Sequence, residues 1–277
     1  MSASIKKVDQ YIDKFAKVIN KQQIKKVKEN IKVGVDLGTA NIVLSVVSED
    51  NQPLAGMVHP ASVVRDGIVV DYLQAVDIVK KLKQQTEKIL GITLSNAATA
   101  VPPRSPEGSI KVAMNVLESA FLTVSEVFEE TNAAANVLGI TDGAVVDVGG
   151  GTTGISILEN GKVVYTADEP TGGTHMSLVL AGSKKINFYE AEKLKLEKTK
   201  EQEIFPIIEP VIDKMATIIY SHLKGFKNVS SIYIIGGASS FSGFEEVFQK
   251  YIGINTLKTN HPLLITPLGI AIQGGIN

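Results

Sequence analysis

The chain has 277 residues, of which 44% are hydrophobic and 21% charged, and its formal net charge is −1. These values are typical of a globular protein with one large or two medium domains. They exclude a global basic excess that would hold nucleic acid, and the absence of cysteine excludes disulfides, thiolate metal sites and thiol catalysis. No apolar run is long enough for a membrane span, and the lysine-rich N-terminus lacks the apolar stretch of a signal peptide, so we expect a cytoplasmic protein.

The first predicted element is a basic amphipathic helix within residues 1–30. Between Met1 and Lys32 there are nine lysines and three acidic residues, so this segment has a net charge of +6. Its apolar residues follow i, i+3, i+4 spacing and share one helical face: Ile5, Val8, Ile12, Phe15 and Ile19. The helix either packs on the body or on a second copy of the protein, or it docks on a partner protein or a membrane surface.

From Ile31 onward, strand patterns alternate with helix patterns. The first half begins with three strands, “KVGVDLG”, “NIVLSVVSE” and “PLAGMVHPASVV”. A helix at Leu73–Leu90 ends at Gly91, where glycine favours a helix stop. The half continues with the buried strand “AATAVP”, a helix at Ser109–Phe121, a short strand in “LTVSEVF” and the small-residue helix “EETNAAANVLG”.

The same order then begins again. The second half opens with the strands “GAVVDVG”, “GISILEN” and “KVVYTADEP”, with a turn at Asn160–Gly161 between the last two. The pair Gly172–Gly173 is followed by helical segments, a long helix near Ile207–Lys224, the strand “SIYIIGG” and a helix from Gly243. Mixed strands with interleaved helices predict a layered α/β protein.

Two glycine turns, “VDLGTAN” and “VVDVGGGTTG”, occupy equivalent places in the two halves. Their aspartates, Asp36 and Asp147, are 111 residues apart, which is typical of a duplicated domain. If the turns face each other across a cleft, two carboxylates and a ring of backbone N–H groups converge. Because carboxylates repel bare phosphate, the arrangement predicts a polyphosphate with Mg²⁺ between them. A third glycine bend, in “YIIGGASSFSG”, provides a surface on which a nucleotide could lie.

These three motifs resemble those of the actin, sugar-kinase and heat-shock-chaperone ATPase superfamily. In order, they look like its first phosphate loop, its second phosphate loop and its adenosine loop. The resemblance covers the chain after Lys32 and implies a duplicated ribonuclease-H-like or actin-like ATPase fold, with two lobes around a nucleotide cleft. It implies lobes at residues 31–138 and 139–265, with a final helix in 266–277 that returns to the first lobe.

Within that superfamily, the chain resembles the ethanolamine-utilisation protein J family, chaperone-like ATPases encoded with bacterial microcompartments. The resemblance rests on “HPASVVRDGIVVDY” and on reduced inserted subdomains: only Arg65–Val69 stands where actins carry an insertion. It implies a slow, ATP-driven chaperone or reactivating factor with a protein client, such as ethanolamine ammonia-lyase or microcompartment shell or cargo proteins. It also implies possible association with microcompartments in the cytoplasm, and it leaves the oligomeric state open.

The resemblance also assigns roles to residues. Asp36 and Asp147 would orient the hydrated Mg²⁺ of ATP or ADP, and Glu130 would polarise the attacking water, alone or with Asp147. The residues that would contact the nucleotide are Asp36, Gly38, Thr39, Ala40, Asn41, Gly149, Gly150, Gly151, Thr152, Thr153, Gly172, Gly173, Glu192, Lys195, Gly236, Gly237 and Ala238. The chaperones' lysine near the γ-phosphate has no clear equivalent here, which predicts weak catalysis.

Structural alternatives remain for several of these residues. Glu130 could be an acidic residue that the helix dipole favours at a helix start, and Glu192 and Lys195 could lie on an exposed helical face. Two other functions also stay open. One is a nucleotide-binding adaptor or filament protein like division or pilus-assembly relatives. The other is a small-molecule kinase, which needs an acceptor pocket and a further catalytic aspartate that the sequence does not reveal.

Overall fold

The computed structural model of the chain describes residues 3–22, 27 and 30–277. Part of the basic N-terminal segment, including Lys25, Lys26 and Lys28, lies outside the described residues. In the part that is described, no helix combines the length and the apolar content needed to cross a bilayer.

Within the described residues, most strands form two five-stranded sheets of identical topology, one in each lobe. In each sheet, the first three strands of that half pair antiparallel. On its other edge, the first of these strands pairs parallel with a fourth strand, and the fourth pairs parallel with a fifth. The first sheet has the order β3-β2-β1-β6-β7, with β1 Ile31–Leu37, β2 Asn41–Ser48, β3 Pro53–Pro60, β6 Asn96–Val101 and β7 Thr123–Glu129. The second has the order β10-β9-β8-β11-β12, with β8 Gly143–Val148, β9 Thr153–Glu159, β10 Lys162–Glu169, β11 Ser231–Ile235 and β12 Asn255–Lys258. This repetition confirms the duplicated α/β fold.

The helices pack on the faces of these sheets. They are α1 Ala3–Ala16, α2 Tyr72–Leu90, α3 Glu107–Ser119, α4 Glu130–Leu138, α5 Gly173–Lys184, α6 Phe188–Leu196, α7 Glu201–Leu223, α8 Phe244–Ile252 and α9 Ile265–Gln273. The ends of α2 follow from its sequence. The Asp71 carboxylate accepts a hydrogen bond from the Gln74 N–H at the start, and Gly91 ends the helix with φ of 69°.

Three elements differ from the sequence predictions. Helix α7 begins at Glu201 rather than near Ile207, although proline inside a helix removes a backbone hydrogen bond and Pro206 and Pro210 lie within it. Burial of its apolar face in the core of the second lobe outweighs that local cost. The predicted third strand ends at Pro60, and a separate hairpin follows, formed by β4 (Val64–Arg65) and β5 (Ile68–Val69). Strand β12 was not predicted, because its sequence “NTLK” has little strand character.

Helices α4 and α9 lie between the two lobes. Their buried apolar residues share one cluster with β2 of the first sheet and β8 of the second: Ala134, Ala135, Leu138, Ile265, Leu268 and Ala271 with Val47 and Val145. The two helices touch at backbone distance, since a Cβ on Gly269 would lie 2.1 Å from the Ala133 carbonyl oxygen. These helices therefore join the two lobes, and we call them the hinge below.

Helix α1 packs on the same interlobe cluster. Ile5, Ile12 and Phe15 are buried, and Phe15 contacts the backbone of β3 at Gly56. Polar contacts reach both lobes: the Tyr11 hydroxyl donates to the Asn51 carbonyl, and the Asp9 carboxylate accepts from the Asn260 N–H at 2.9 Å. Of the two interpretations of the N-terminal helix, the structure therefore supports packing on the body.

Candidate functional site

The two predicted aspartates lie at equivalent positions, next to last in β1 and β8. The first glycine turn, Gly38–Asn41, joins β1 to β2, and the second, Gly149–Thr153, joins β8 to β9. Burial, with the charge of Asp147 as a smaller cause, raises the pKa of Asp36 to about 7. Burial also raises the pKa of Asp147 to about 6, against the lowering effect of a hydrogen bond from Thr266. The fold thus brings the two carboxylates into one electrostatic neighbourhood.

The two glycine turns approach each other across the cleft. A Cβ on Gly150 would lie 3.2 Å from the Thr39 Cβ, and one on Gly151 would lie 3.1 Å from the Thr39 hydroxyl. The β4–β5 hairpin closes the same point, because a Cβ on Gly151 would also lie 2.7 Å from the Asp66 carboxylate. A side chain would crowd this approach, which favours glycine at Gly150 and Gly151.

Glu130 and Asp168 join the two aspartates to make a cluster of four carboxyl groups. Glu130 is the first residue of α4, and burial followed by the charges of Asp147, Asp36 and Asp168 raises its pKa well above the usual value. Asp168 lies near the end of β10, and burial is the main cause that raises its pKa to about 6. Its buried Oδ1 has no hydrogen-bond partner among the described residues.

Sequence reasoning missed Asp168, although a signal was present. It is part of the strand “KVVYTADEP”, the third strand of the second half, and stands near its end, four positions before Gly172. In the first half, Pro60 ends the equivalent strand β3 without an acidic residue there. Comparison of the two halves therefore does not point to Asp168. The signal is its position near the end of a strand, shortly before a glycine pair.

Gly172 and Gly173 support the second glycine turn. The N–H groups of Gly173 and Thr174, at the start of α5, donate to the carbonyls of Gly149 and Gly150 at 2.9 and 2.8 Å. The Thr153 hydroxyl donates to the Thr171 carbonyl at 2.7 Å. The turn is thus held in place by hydrogen bonds before any ligand arrives.

Glu192 and Lys195 lie on α6, beside the third glycine bend. Lys195 is largely buried, and its ammonium donates to the Gly173 carbonyl, the Ser177 hydroxyl and the Glu192 carboxylate at 3.0, 2.7 and 2.8 Å. A small cavity of about 70 Å³ lies between this part of the chain and the bend; its lining includes Lys195, Leu196, Gly237, Ala238, Ser240 and Phe241. Lys195 is therefore not part of an exposed helical face.

A larger cavity of about 360 Å³ lies between the lobes and is lined by Asp168. The first lobe contributes Arg104 and the β4–β5 turn, and the second contributes Tyr165, Glu169 and His222. The imidazole of His222 is fixed between the Tyr165 hydroxyl at 2.7 Å and the Glu169 carboxylate at 2.9 Å. The sequence reveals neither this cavity nor the position of Asp168 in its wall.

The donor set fits a hydrated magnesium ion better than a bare one. In the described part of the chain, no three His, Asp or Glu side chains are placed to ligate a metal together. Mg²⁺ keeps several waters and is usually held by one or two carboxylates together with substrate phosphates. Asp36 and Asp147 beside two glycine turns match that chemistry.

The two sheets and the glycine turns between them have the fold of the actin-like ATPases. The family model of the cell division protein FtsA matches residues 144–269, and that of the Hsp70 protein matches residues 73–204. MreB5 of Spiroplasma citri, solved with ADP bound, has the same fold at a TM-score of 0.69 and 16% identity, over 86% of this chain and 94% of that one.

The sequence relationship is narrower than the fold. The ethanolamine utilization protein EutJ of Salmonella typhimurium is 43% identical over 87% of this chain and 85% of its own. The crystal structure of EutJ from Carboxydothermus hydrogenoformans has a TM-score of 0.93 at 44% identity, over 98% of this chain and all of that one. The chain belongs to the ethanolamine utilization protein EutJ family.

Proposed function

We propose that this protein binds Mg·ATP and Mg·ADP between its lobes, hydrolyses ATP slowly, and acts as a chaperone-like factor on a protein client in ethanolamine utilisation. The observation that carries the proposal is the convergence of two glycine turns and four carboxyl groups at one point between the two lobes. Strongly perturbed carboxyl groups in a cleft are typical of functional sites. Support also comes from the EutJ relatives and from the ADP-bound and AMPPNP-bound structures of the MreB5 fold.

Each part of the site has a role in this proposal. The backbone N–H groups of Thr39, Ala40 and the turn Gly149–Thr153 bind phosphate oxygens, and the threonine hydroxyls add donors. Asp36 and Asp147 hold the waters of Mg²⁺, which supplies charge neutralisation of the phosphates. Glu130 orients the attacking water.

Asp168 adds a carboxylate that can accept the proton of that water through its unpartnered Oδ1. The adenosine lies against the third glycine bend, at the mouth of the small cavity beside Lys195 and Ala238.

The client side of the proposal rests on the family relationship. Ethanolamine ammonia-lyase and microcompartment shell or cargo proteins are the proposed clients, with a location in the cytoplasm at such compartments. The alternative is an adaptor or filament protein that binds nucleotide and scarcely hydrolyses it; the pilus-biogenesis complex PilM–PilN shares the fold at a TM-score of 0.72. Sedimentation with ATP distinguishes a filament from a chaperone.

The interlobe cavity is one specific observation in favour of the kinase alternative. Its wall carries Asp168, so a bound hydroxyl compound would lie beside a carboxylate able to accept its proton. ATP turnover measured with and without small polar acceptors decides this point. Turnover that depends on an acceptor favours a kinase, whereas acceptor-independent phosphate release favours the ATPase.

The nucleotide proposal is tested by thermal melting and calorimetry with Mg·ATP and Mg·ADP. A ligand that binds only the folded state raises the melting temperature by mass action. Asp147→Ala should reduce Mg²⁺-dependent binding, whereas Glu130→Ala should keep nucleotide affinity and lose hydrolysis, since Glu130 acts on water in the transition state. No melting shift and no heat with the wild type would refute the proposal, and equal loss of binding in both variants would refute the role of Glu130.

A further inference from the structure

Thr266 makes a hydrogen bond that crosses from the hinge to the second lobe. It is the second residue of α9, and its hydroxyl donates to Oδ2 of Asp147 at 2.7 Å. Both residues are buried, with 5% and 7% of their surfaces exposed. The other carboxylate oxygen of Asp147 is confined too, since a Cβ on Gly236 would lie 2.4 Å from Oδ1. The orientation of Asp147 is therefore set by α9 on one side and by the third glycine bend on the other.

Helix α9 has its closest backbone contacts with the first lobe. It packs on the backbone of β1, where a Cβ on Gly34 would lie 2.5 Å from the Ala271 nitrogen, and on α4 at Gly269. Cores packed this closely move as units rather than deforming continuously. Asp147, in contrast, is part of β8 in the second sheet. A rotation of one lobe against the other must therefore strain or break the bond between Thr266 and Asp147, or carry Asp147 along.

We propose that Thr266 is a positioning residue that orients Asp147 for the hydrated metal and couples metal binding to the angle between the lobes. This role rests on the proposed nucleotide function. The hydroxyl occupies Oδ2 and leaves the remaining lone pairs of the carboxylate for the waters of the metal. The bond is intact in the arrangement of the lobes described here, so a metal that interacts more strongly with an oriented Asp147 would favour this arrangement.

Three substitutions separate this role from ordinary packing. Thr266→Val keeps the shape and removes the donor, and Thr266→Ser keeps the donor. Thr86→Val is the matched control: Thr86 is also a buried helical threonine, and its hydroxyl donates to the Leu82 carbonyl in α2, away from the cleft. All three proteins are compared with the wild type without ligand, so that any loss of stability from the lost hydroxyl is known.

The first measurement is the Mg²⁺ concentration that gives half of the melting shift at saturating ADP. Loss of a hydrogen bond to a charged group corresponds to about a tenfold change in binding. We therefore expect Thr266→Val to need about tenfold more Mg²⁺, and Thr266→Ser and Thr86→Val to titrate like the wild type.

The second measurement is the distance between the lobes. Because the chain has no cysteine, single cysteines at exposed Lys81 of α2 and Lys250 of α8 can carry a pair of spin labels. In the wild type and in Thr266→Ser, Mg·ADP should shorten the mean distance between the two labels or narrow its distribution. In Thr266→Val, the distance distribution should stay unchanged.

The outcomes separate this proposal from the function on which it rests. A Thr266→Val protein with the Mg²⁺ requirement and lobe response of the wild type would overturn the role of Thr266 while the nucleotide function stands. A wild type without any Mg·ADP response would refute the nucleotide function and this role together.

Discussion

At the scale of single residues, the main feature is the crowding of carboxyl groups. Asp36, Asp147 and Asp168 have pKa values raised to about 7, 6 and 6, and burial is the first cause in each case. Together with Glu130, they would be costly as structural elements, because no ion pair among the described residues includes any of the four and offsets its burial. The hydrated Mg²⁺ proposed for this site would offset that cost.

This crowding predicts how the stability of the ligand-free protein depends on pH. A carboxyl group whose pKa is raised by folding stabilises the fold below its unfolded pKa, and this stabilisation is lost as the pH rises through the folded value. For this cluster the loss falls between about pH 4 and pH 7. One pKa unit corresponds to about 1.4 kcal/mol, and about 1 kcal/mol moves the melting temperature by roughly 2–4 °C. The melting temperature without Mg²⁺ should therefore fall by several degrees as the pH rises from 5 to 8.

Two variants check this origin. The double variant Asp36→Asn, Asp147→Asn should flatten the dependence, because amides do not titrate. Asp142→Asn should keep it, since hydrogen bonds from Asn160 and Thr141 lower the pKa of exposed Asp142 and it titrates below this range. A double variant with the slope of the wild type would contradict the cluster as the cause.

Residue chemistry also decided what the sequence could predict. The sequence predicts the roles of Asp36 and Asp147, because each stands in a strand–glycine-turn pattern that is local in the chain. The sequence does not predict the role of Thr266, because its hydrogen bond to Asp147 spans 119 positions and nothing in “LLITPLG” marks the threonine. The interlobe cavity could not be predicted for the same reason, since its walls come from separate parts of both lobes.

At the scale of elements, the strands and most helices follow from local pattern, and the exceptions follow from tertiary packing. Gly91 and Gly139 end α2 and α4 in the left-handed conformation, with φ of 69° and 60°. Helix α7 passes through two prolines, because eight of its residues, including Ile208 and Ile212, are buried in the second lobe. The close contact of α4 with α9 depends on glycine at one position, which the pattern of the final helix does not reveal.

The contact between α4 and α9 predicts a large cost for one added methyl group. In Gly269→Ala the new Cβ would lie 2.1 Å from the Ala133 carbonyl oxygen, so the hinge helices must move apart. Overpacking of this kind costs about 1–3 kcal/mol or more. Gly182→Ala is the matched control, since Gly182 lies in α5 with no atom within 4 Å of its would-be Cβ, and alanine there should stabilise by about 0.5–1 kcal/mol. Chemical denaturation measures both, and similar effects of the two changes would contradict the close contact.

At the scale of the whole molecule, α1 acts as a third connection between the lobes. Its apolar face lies on the cluster that includes α4 and α9, and its polar groups reach Asn51 in the first lobe and Asn260 at the end of the second. The lysines Lys6, Lys7, Lys14 and Lys17 remain exposed on the outer face. The helix can therefore stabilise the body with one face and present a basic surface with the other.

This division predicts opposite results for changes on the two faces of α1. Phe15 is fully buried, and truncation of a buried phenylalanine costs about 3–5 kcal/mol, so Phe15→Ala should lower the melting temperature by roughly 10 °C. Replacement of Lys6, Lys7, Lys14 and Lys17 by glutamate should leave melting nearly unchanged, because surface substitutions usually stay within about 0.5 kcal/mol each. Thermal melting with and without Mg·ADP measures both effects.

The same pair of variants locates the surface that binds a client. If the basic face of α1 is that surface, the lysine-to-glutamate protein keeps its melting shift with Mg·ADP and no longer co-purifies with its partner. Deletion of residues 1–20 would not give this information, because it removes Ile5, Ile12 and Phe15 and unfolds part of the interlobe cluster. Retention of the partner by the charge-reversed protein would place the client surface elsewhere on the body. A Phe15→Ala protein as stable as the wild type would show that α1 is not part of the core.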